Sequence, residues 1–158
     1  DLILSFVRSD ISAVRASGFP VLTPAVDIAN ARIEFADGCV ADVSASRVSQ
    51  TSLRKLRIFQ PDQYFSIDCE NFHVRSVRKE GTGLTPAGMP QIASTEQQFQ
   101  QADPLMAEIR AFAHAVRTRT DPPVTGADGK RALEVALEVC RQMNLTLSAV
   151  YGAAEAVA

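Results

Sequence analysis

Hydrophobic and polar residues alternate through the first two-thirds of the chain and change to a helical spacing in the last third. A strand repeats every two residues and a helix every 3.6, so the change of period separates a β part from an α part. Ile11–Ser17 is a short strand-like run that ends at Gly18-Phe19-Pro20. Val26–Phe35 and Cys39–Ser46 flank Ala36-Asp37-Gly38, and the alternation decides how they pair. A two-residue loop at Asp37-Gly38 sets Ile33 opposite Asp42 and mixes the two faces. A three-residue loop pairs Phe35 with Cys39, Ile33 with Ala41, Ala31 with Val43 and Ala29 with Ala45. Arg32 then meets Asp42, and Asn30 meets Ser44, on the reverse face. Only the second register separates apolar from polar, and it puts Gly38 at the left-handed position of a bulged hairpin.

The next hairpin follows the same logic. Leu53–Gln60 and Gln63–Glu70 flank Pro61-Asp62, a good type I turn centre. That register pairs Ile58 with Phe65 and Leu56 with Ile67 on one face, Phe59 with Tyr64 and Lys55 with Asp68 on the other. A strand over Phe72–Lys79 follows a turn at Asn71. Gly81–Pro90 is rich in glycine and proline and reads as a loop, and Gln91–Gln100 reads as an edge strand.

Helical spacing then begins. Asp103 is an N-cap with Pro104 at the first helical position. Leu105, Ile109, Phe112 and Val116 recur on one face, which predicts a buried stripe, and Asp121-Pro122-Pro123 ends the run. Thr125-Gly126-Ala127-Asp128 has the form of a capping box with Asp in place of Glu. Leu133, Ala136, Cys140, Met143 and Leu147 line one face of a second, longer helix, and Gly152–Ala158 reads as a fraying tail. Strands first and helices last predict an α+β domain over residues 1–158: an open, mainly antiparallel sheet of about six strands, covered on one face by helices.

Composition narrows the function classes. A net charge of −2 gives no basic footprint for nucleic acid or an anionic membrane surface. No apolar run approaches the roughly 18–20 residues of a membrane span. Cys39, Cys69 and Cys140 are far apart and odd in number, with neither metal spacing nor a disulfide framework, so a reducing cytoplasmic setting and a packing role are expected of them. The chain begins at Asp1 without an initiator Met and runs straight into Leu2-Ile3-Leu4, as the middle of a helix does, which suggests a piece of a longer protein.

Few residues carry a chemical signature. Gly81-Thr82-Gly83 is the one candidate dinucleotide loop, but Pro86 stands at the third glycine position and no helical pattern follows. His73 and His114 lack a carboxylate or Cys at ligand spacing. Ser44, Ser46 and Ser49 form no nucleophile elbow. Arg54, Lys55 and Arg57 alternate on a strand as solvated or interface charge. Arg47, in Ala45-Ser46-Arg47-Val48-Ser49, closes a strand among small neighbours. Its guanidinium can reach a carboxylate or phosphate of a substrate, or form a salt bridge to a neighbouring loop or subunit.

Several stretches together carry a family resemblance. They are Asp1-Leu2-Ile3-Leu4, Asp27 to Phe35, Gly38-Cys39-Val40-Ala41 leading to Ser46-Arg47, and Val124 to Glu134 with its Thr-Gly-x-Asp-Gly segment before a helix. The chain resembles, over essentially its full length, the C-terminal α/β-sandwich domain of the Gfo/Idh/MocA oxidoreductases. The resemblance implies an NAD- or NADP-binding Rossmann domain preceding this one in the parent. It further implies a substrate that is a sugar, nucleotide sugar or cyclitol, and homo-oligomers, dimers included, formed through the open sheet face. The family's Glu-Lys-Pro motif is absent, since none of Lys55, Lys79 and Lys130 precedes a proline. Its His-Asp-x-Asp motif, with Asp1 as the last Asp, puts the catalytic His upstream. No catalytic residue carries over, so this chain by itself is expected neither to bind the dinucleotide nor to turn over. Arg47 is the one candidate substrate contact. The rival reading is a non-catalytic dimerisation or scaffold module on the same fold.

Overall fold

The computed structural model describes the backbone of residues 1–85 and 87–155, and the side chains as far as Leu147. In chain order the elements are α1 (Leu2–Phe6), β1 (Ile11–Phe19), β2 (Ile28–Phe35), β3 (Val40–Ser46), β4 (Lys55–Gln60), β5 (Gln63–Asp68), β6 (His73–Leu84), β7 (Pro90–Gln98), α2 (Pro104–Thr118) and α3 (Gly126–Glu155). All strand pairs are antiparallel. The α+β class therefore follows the sequence pattern. Among the described residues the strands number seven and hydrogen-bond as a sheet of three and a sheet of four, where one sheet of about six was expected. The chain divides into two compact units, one of residues 1–50 with the segment from His114 onward, the other of Thr51–Ala113.

The first unit is built on the sheet β1-β2-β3. The β2–β3 register pairs Ile33 with Ala41, Ala31 with Val43 and Arg32 with Asp42, as the alternation requires. Gly38 sits at φ +87°, and its N–H donates to the Phe35 carbonyl at 3.0 Å. Ala31, Ile33 and Phe35 are buried, the last two with 5% and 3% of their surface exposed. Burying each of the larger two stabilises the fold by roughly 1.5–3 kcal/mol. α3 supplies the cover: the Thr146 hydroxyl donates to the Ala16 carbonyl at 3.0 Å, and buried Met143 lies over Gly18. A Cβ on Gly18 would stand 2.7 Å from both Met143 Sδ and Val26 Cγ1. This close approach explains why glycine stands at this position of β1, which continues to Phe19 and does not stop at Ser17.

α3 starts as the sequence indicates. Thr125 N–H donates to Asp128 Oδ2 at 2.8 Å, and Asp128 N–H donates back to Thr125 Oγ1 at 3.2 Å. Its packed face differs from expectation. Half-buried Ala132, Val135 and Val139 share a side with Met143, whereas Leu133, Ala136 and Cys140 are exposed, roughly a quarter-turn away. The helix carries two apolar stripes, and only the tertiary partner decides which one it covers. Of the tail Gly152–Ala158, expected to fray, Gly152–Glu155 belong to α3 and residues 156–158 lie outside the described residues.

The second unit holds the sheet β4-β5-β6-β7. Leu56 faces Ile67, Ile58 faces Phe65, and Phe59 faces Tyr64 with ring centroids 5.0 Å apart, in the register the sequence set. β7 is the edge strand anticipated over Gln91–Gln100. The loop expected over Gly81–Pro90 is shorter: β6 runs to Leu84 and pairs with Pro90, and a register shift after Lys79 absorbs Gly81 at φ +60°. Pro86 lies outside the described residues.

α2 divides its residues between the units. Its cap is as read, with Asp103 Oδ1 accepting from Met106 N–H at 3.1 Å. Its stripe is not buried: Leu105, Ile109, Phe112 and Val116 are exposed, and Ala115 alone among its residues is buried. Amphipathic spacing forecasts an apolar face without naming what covers it. No described helix is long and apolar enough to cross a membrane.

Candidate functional site

The end of the first unit's sheet where β1 hands over to β2 and β3 runs out is organised around one carboxylate. Asp27 has no exposed side-chain surface. Its Oδ2 accepts the backbone N–H groups of Val21, Leu22 and Thr23 at 2.9, 2.7 and 2.8 Å, and its Oδ1 accepts the Thr23 hydroxyl at 2.8 Å. The N–H groups of Thr23, Val21 and Leu22, in that order, hold its pKa far below the usual carboxylate range, against an opposing effect of burial. The segment Pro20–Ala25 is thereby fixed as a loop without regular hydrogen bonding of its own. Asp27 was not singled out from the sequence. The available signal was an acid placed just after Pro20 and Pro24, where a carboxylate can gather the N–H groups of a turn.

Arg47 stands over this loop. Its N–H donates to the Asp27 carbonyl at 3.0 Å, and its Nε lies 3.7 Å from Asp27 Oδ1, while its side chain remains 63% exposed. The next residues are shaped by hydroxyls: Ser46 Oγ accepts from Val48 N–H at 3.3 Å and from Ser49 Oγ at 2.9 Å. Of the two readings of Arg47, the neighbouring-loop salt bridge is present, and the side chain still points donors to the outside.

Two concave regions lie in the same unit. A shallow groove of about 400 Å³ runs over the sheet face opposite the core, lined by Arg15, Ser17, Asn30, Arg32, Asp42 and Ser44. Its charges are paired, Arg32 Nη1 donating to both Asp42 oxygens at 3.0 Å and Arg15 to Glu34. A deeper cleft of about 440 Å³ lies between α1 and the start of α3, with Arg8, Asp128 and Arg131 on its walls. Arg131 Nη2 is committed to the Ser9 carbonyl at 2.7 Å.

The remaining sequence candidates do not converge. His73 lies 3.6 Å from Glu96 across β6 and β7, and His114 is exposed on α2. Lys55 pairs with Asp68 at 3.7 Å. Cys39, Cys69 and Cys140 are unbridged and all exposed, so the expected packing role is not what they perform: two sit at turns and one on the outward face of α3. No group of three or more His, Cys, Asp or Glu side chains meets in a metal-holding cluster among the described residues.

The Gly81-Thr82-Gly83 segment does not have the form of a dinucleotide loop. The pyrophosphate of a dinucleotide needs a glycine turn that ends a strand and opens a helix. Gly81-Thr82-Gly83 instead lies within antiparallel β6, and β7 follows it. No hydride-transfer step is therefore assigned to residues of this chain.

No family model matches the chain. The curated UDP-N-acetylglucosamine 3-dehydrogenase of Acidithiobacillus ferrooxidans is 33% identical over 139 residues, which cover 88% of this chain and 44% of that protein. A solved structure of that dehydrogenase from the same organism superimposes with a TM-score of 0.80 at 32% identity, over 89% of this chain and 44% of the other. The aldose-aldose oxidoreductase from Caulobacter crescentus, complexed with glycerol, shares the fold at 19% identity and a TM-score of 0.69, over 91% of this chain and 42% of its own. The chain thus spans less than half the length of the relatives it matches. Identity at a third of the aligned positions along nearly the whole chain, on a common fold, makes this chain a homologue of Gfo/Idh/MocA-type oxidoreductases over less than half of their length.

Proposed function

We propose that the chain is the substrate-binding and oligomerisation domain, C-terminal in its parent, of an NAD(P)-dependent oxidoreductase acting on a nucleotide sugar. The observation that carries this reading is the 33% identity, sustained over 88% of the chain, to a protein named for its action on UDP-N-acetylglucosamine. The dinucleotide and the residues that move the hydride belong to the part of the parent outside this chain. What this domain contributes to rate is orientation, by holding the sugar's carbinol carbon in place against the nicotinamide. The Asp27–Arg47 end of the sheet is the substrate-facing region, because its loop is rigidly held and its arginine is exposed. The groove-bearing face of β1-β2-β3, on the side away from the core, is the surface for a second copy. Exposed, unbridged thiols fit a reducing cytoplasmic setting.

The test is to express the full-length parent and screen nucleotide sugars, free sugars and cyclitols for NADH or NADPH formation. Reduced cofactor is expected with a nucleotide sugar. Production with free sugars alone would remove the nucleotide-sugar assignment, and production with no member of the panel would remove the dehydrogenase reading. Sedimentation velocity of the same protein reads the oligomeric state.

A further inference from the structure

We infer that the Arg47 guanidinium grips the diphosphate of the parent's nucleotide-sugar substrate, with the Pro20–Ala25 loop forming the wall beside it; this rests on the nucleotide-sugar reading above. The case begins with an imbalance between the two partners of the Asp27–Arg47 ion pair. A carboxylate offers about four lone-pair positions, and Asp27 receives four donors: three backbone N–H groups and the Thr23 hydroxyl. Three of these fall on Oδ2 and one on Oδ1, so the carboxylate is held in place without a hydrogen bond from the arginine. Arg47 approaches no nearer than the 3.7 Å ion-pair distance, and its side-chain donors make no hydrogen bond among the described residues. A guanidinium carries five N–H donors in a planar fork suited to two oxygens of one phosphate.

The other arginines of the sheet show the contrast. Arg32 is spent on both oxygens of Asp42 and Arg15 on Glu34. Arg47 is held at its root by its own backbone N–H, and Coulomb attraction keeps its side chain above the loop, yet the fork is uncommitted. Four donors spread the charge of Asp27, so that carboxylate opposes a second anion less than a bare one would. Around the same carboxylate, Val21 and Leu22 are anchored through their N–H groups while their side chains are 57% and 78% exposed. A fixed apolar ledge beside an uncommitted arginine suits a ligand that carries a diphosphate next to an uncharged ring, as a nucleotide sugar does.

The test uses the full-length parent turning over UDP-N-acetylglucosamine, with UDP and uridine as competing inhibitors. Arg47→Ala should raise the UDP inhibition constant about tenfold or more, the scale of a lost hydrogen bond to a charged group. The uridine constant should change by less than about twofold, because uridine lacks the phosphates that the arginine holds. Arg47→Lys should recover part of the UDP affinity, and an unchanged melting temperature shows that both variants are folded. Equal changes for UDP and uridine, or no change for UDP, overturn the inference while leaving the dehydrogenase reading intact. A wild-type parent that acts on no nucleotide sugar defeats the underlying reading and this inference with it.

Discussion

Asp27 is the residue on which the candidate site depends. Its carboxylate takes the place of three missing backbone acceptors, since the N–H groups of Val21, Leu22 and Thr23 all point at one oxygen. Asp27→Asn keeps the shape but swaps the charged acceptor for a neutral amide that must turn its own donors away from those N–H groups. The variant should melt roughly 5 °C or more below wild type at neutral pH, read by circular dichroism. The pKa of Asp27 is lowered on folding, so its stabilising contribution is complete above the unfolded carboxyl value of about 3.9. That contribution is lost as pH falls from there through the lower folded-state value. The gap between wild type and Asp27→Asn should therefore narrow under acid; a gap that stays constant down to the acid limit of the fold would contradict this account. Arg47 was legible in the sequence because an arginine closing a strand of small residues stands out. Asp27 was not, because nothing local marks which acid will end up under a loop of unpaired N–H groups.

Elements were readable wherever local chemistry over-determined them. Both hairpin registers follow from period-two alternation plus a turn with one workable length, and Gly38 at φ +87° is the residue such a turn demands. The start of α3 was equally plain, because Thr125 and Asp128 satisfy each other's N–H groups. Thr125→Ala should cost about 1 kcal/mol of stability in denaturant titration, and Thr125→Ser should cost much less. Strand ends were harder. Gly18 looked like a terminator, yet it lies within β1, where Met143 of a helix over a hundred residues away takes the space of its missing Cβ. Gly81 and Gly83 looked like loop residues, yet β6 carries them through an irregular register. In both places a long-range partner outweighed the local punctuation.

At the scale of the whole molecule, the sequence announced the amphipathic helices but not their partners. α3 buries the stripe containing Met143 and shows Leu133, Leu137 and Cys140 to the outside, and α2 shows Leu105, Ile109, Phe112 and Val116. Apolar surface on this scale promotes association. The 158-residue chain expressed by itself should bind a hydrophobic dye and sediment as more than a monomer, and Leu133→Lys with Leu137→Lys should reduce both signals. A monomeric, dye-negative wild type would show that these faces are covered within the chain. The division into two sheets was likewise invisible beforehand, because residues 47–54 carry no pattern that says where a ladder is interrupted. The grip of Asp27 has one more consequence. It seizes main-chain amides, so the identity of residues 21 and 22 is immaterial to the loop's path provided neither is proline, and only Thr23 also contributes its side chain. That stretch is an interchangeable insert on a fixed mount, where side chains can be exchanged without rebuilding the scaffold.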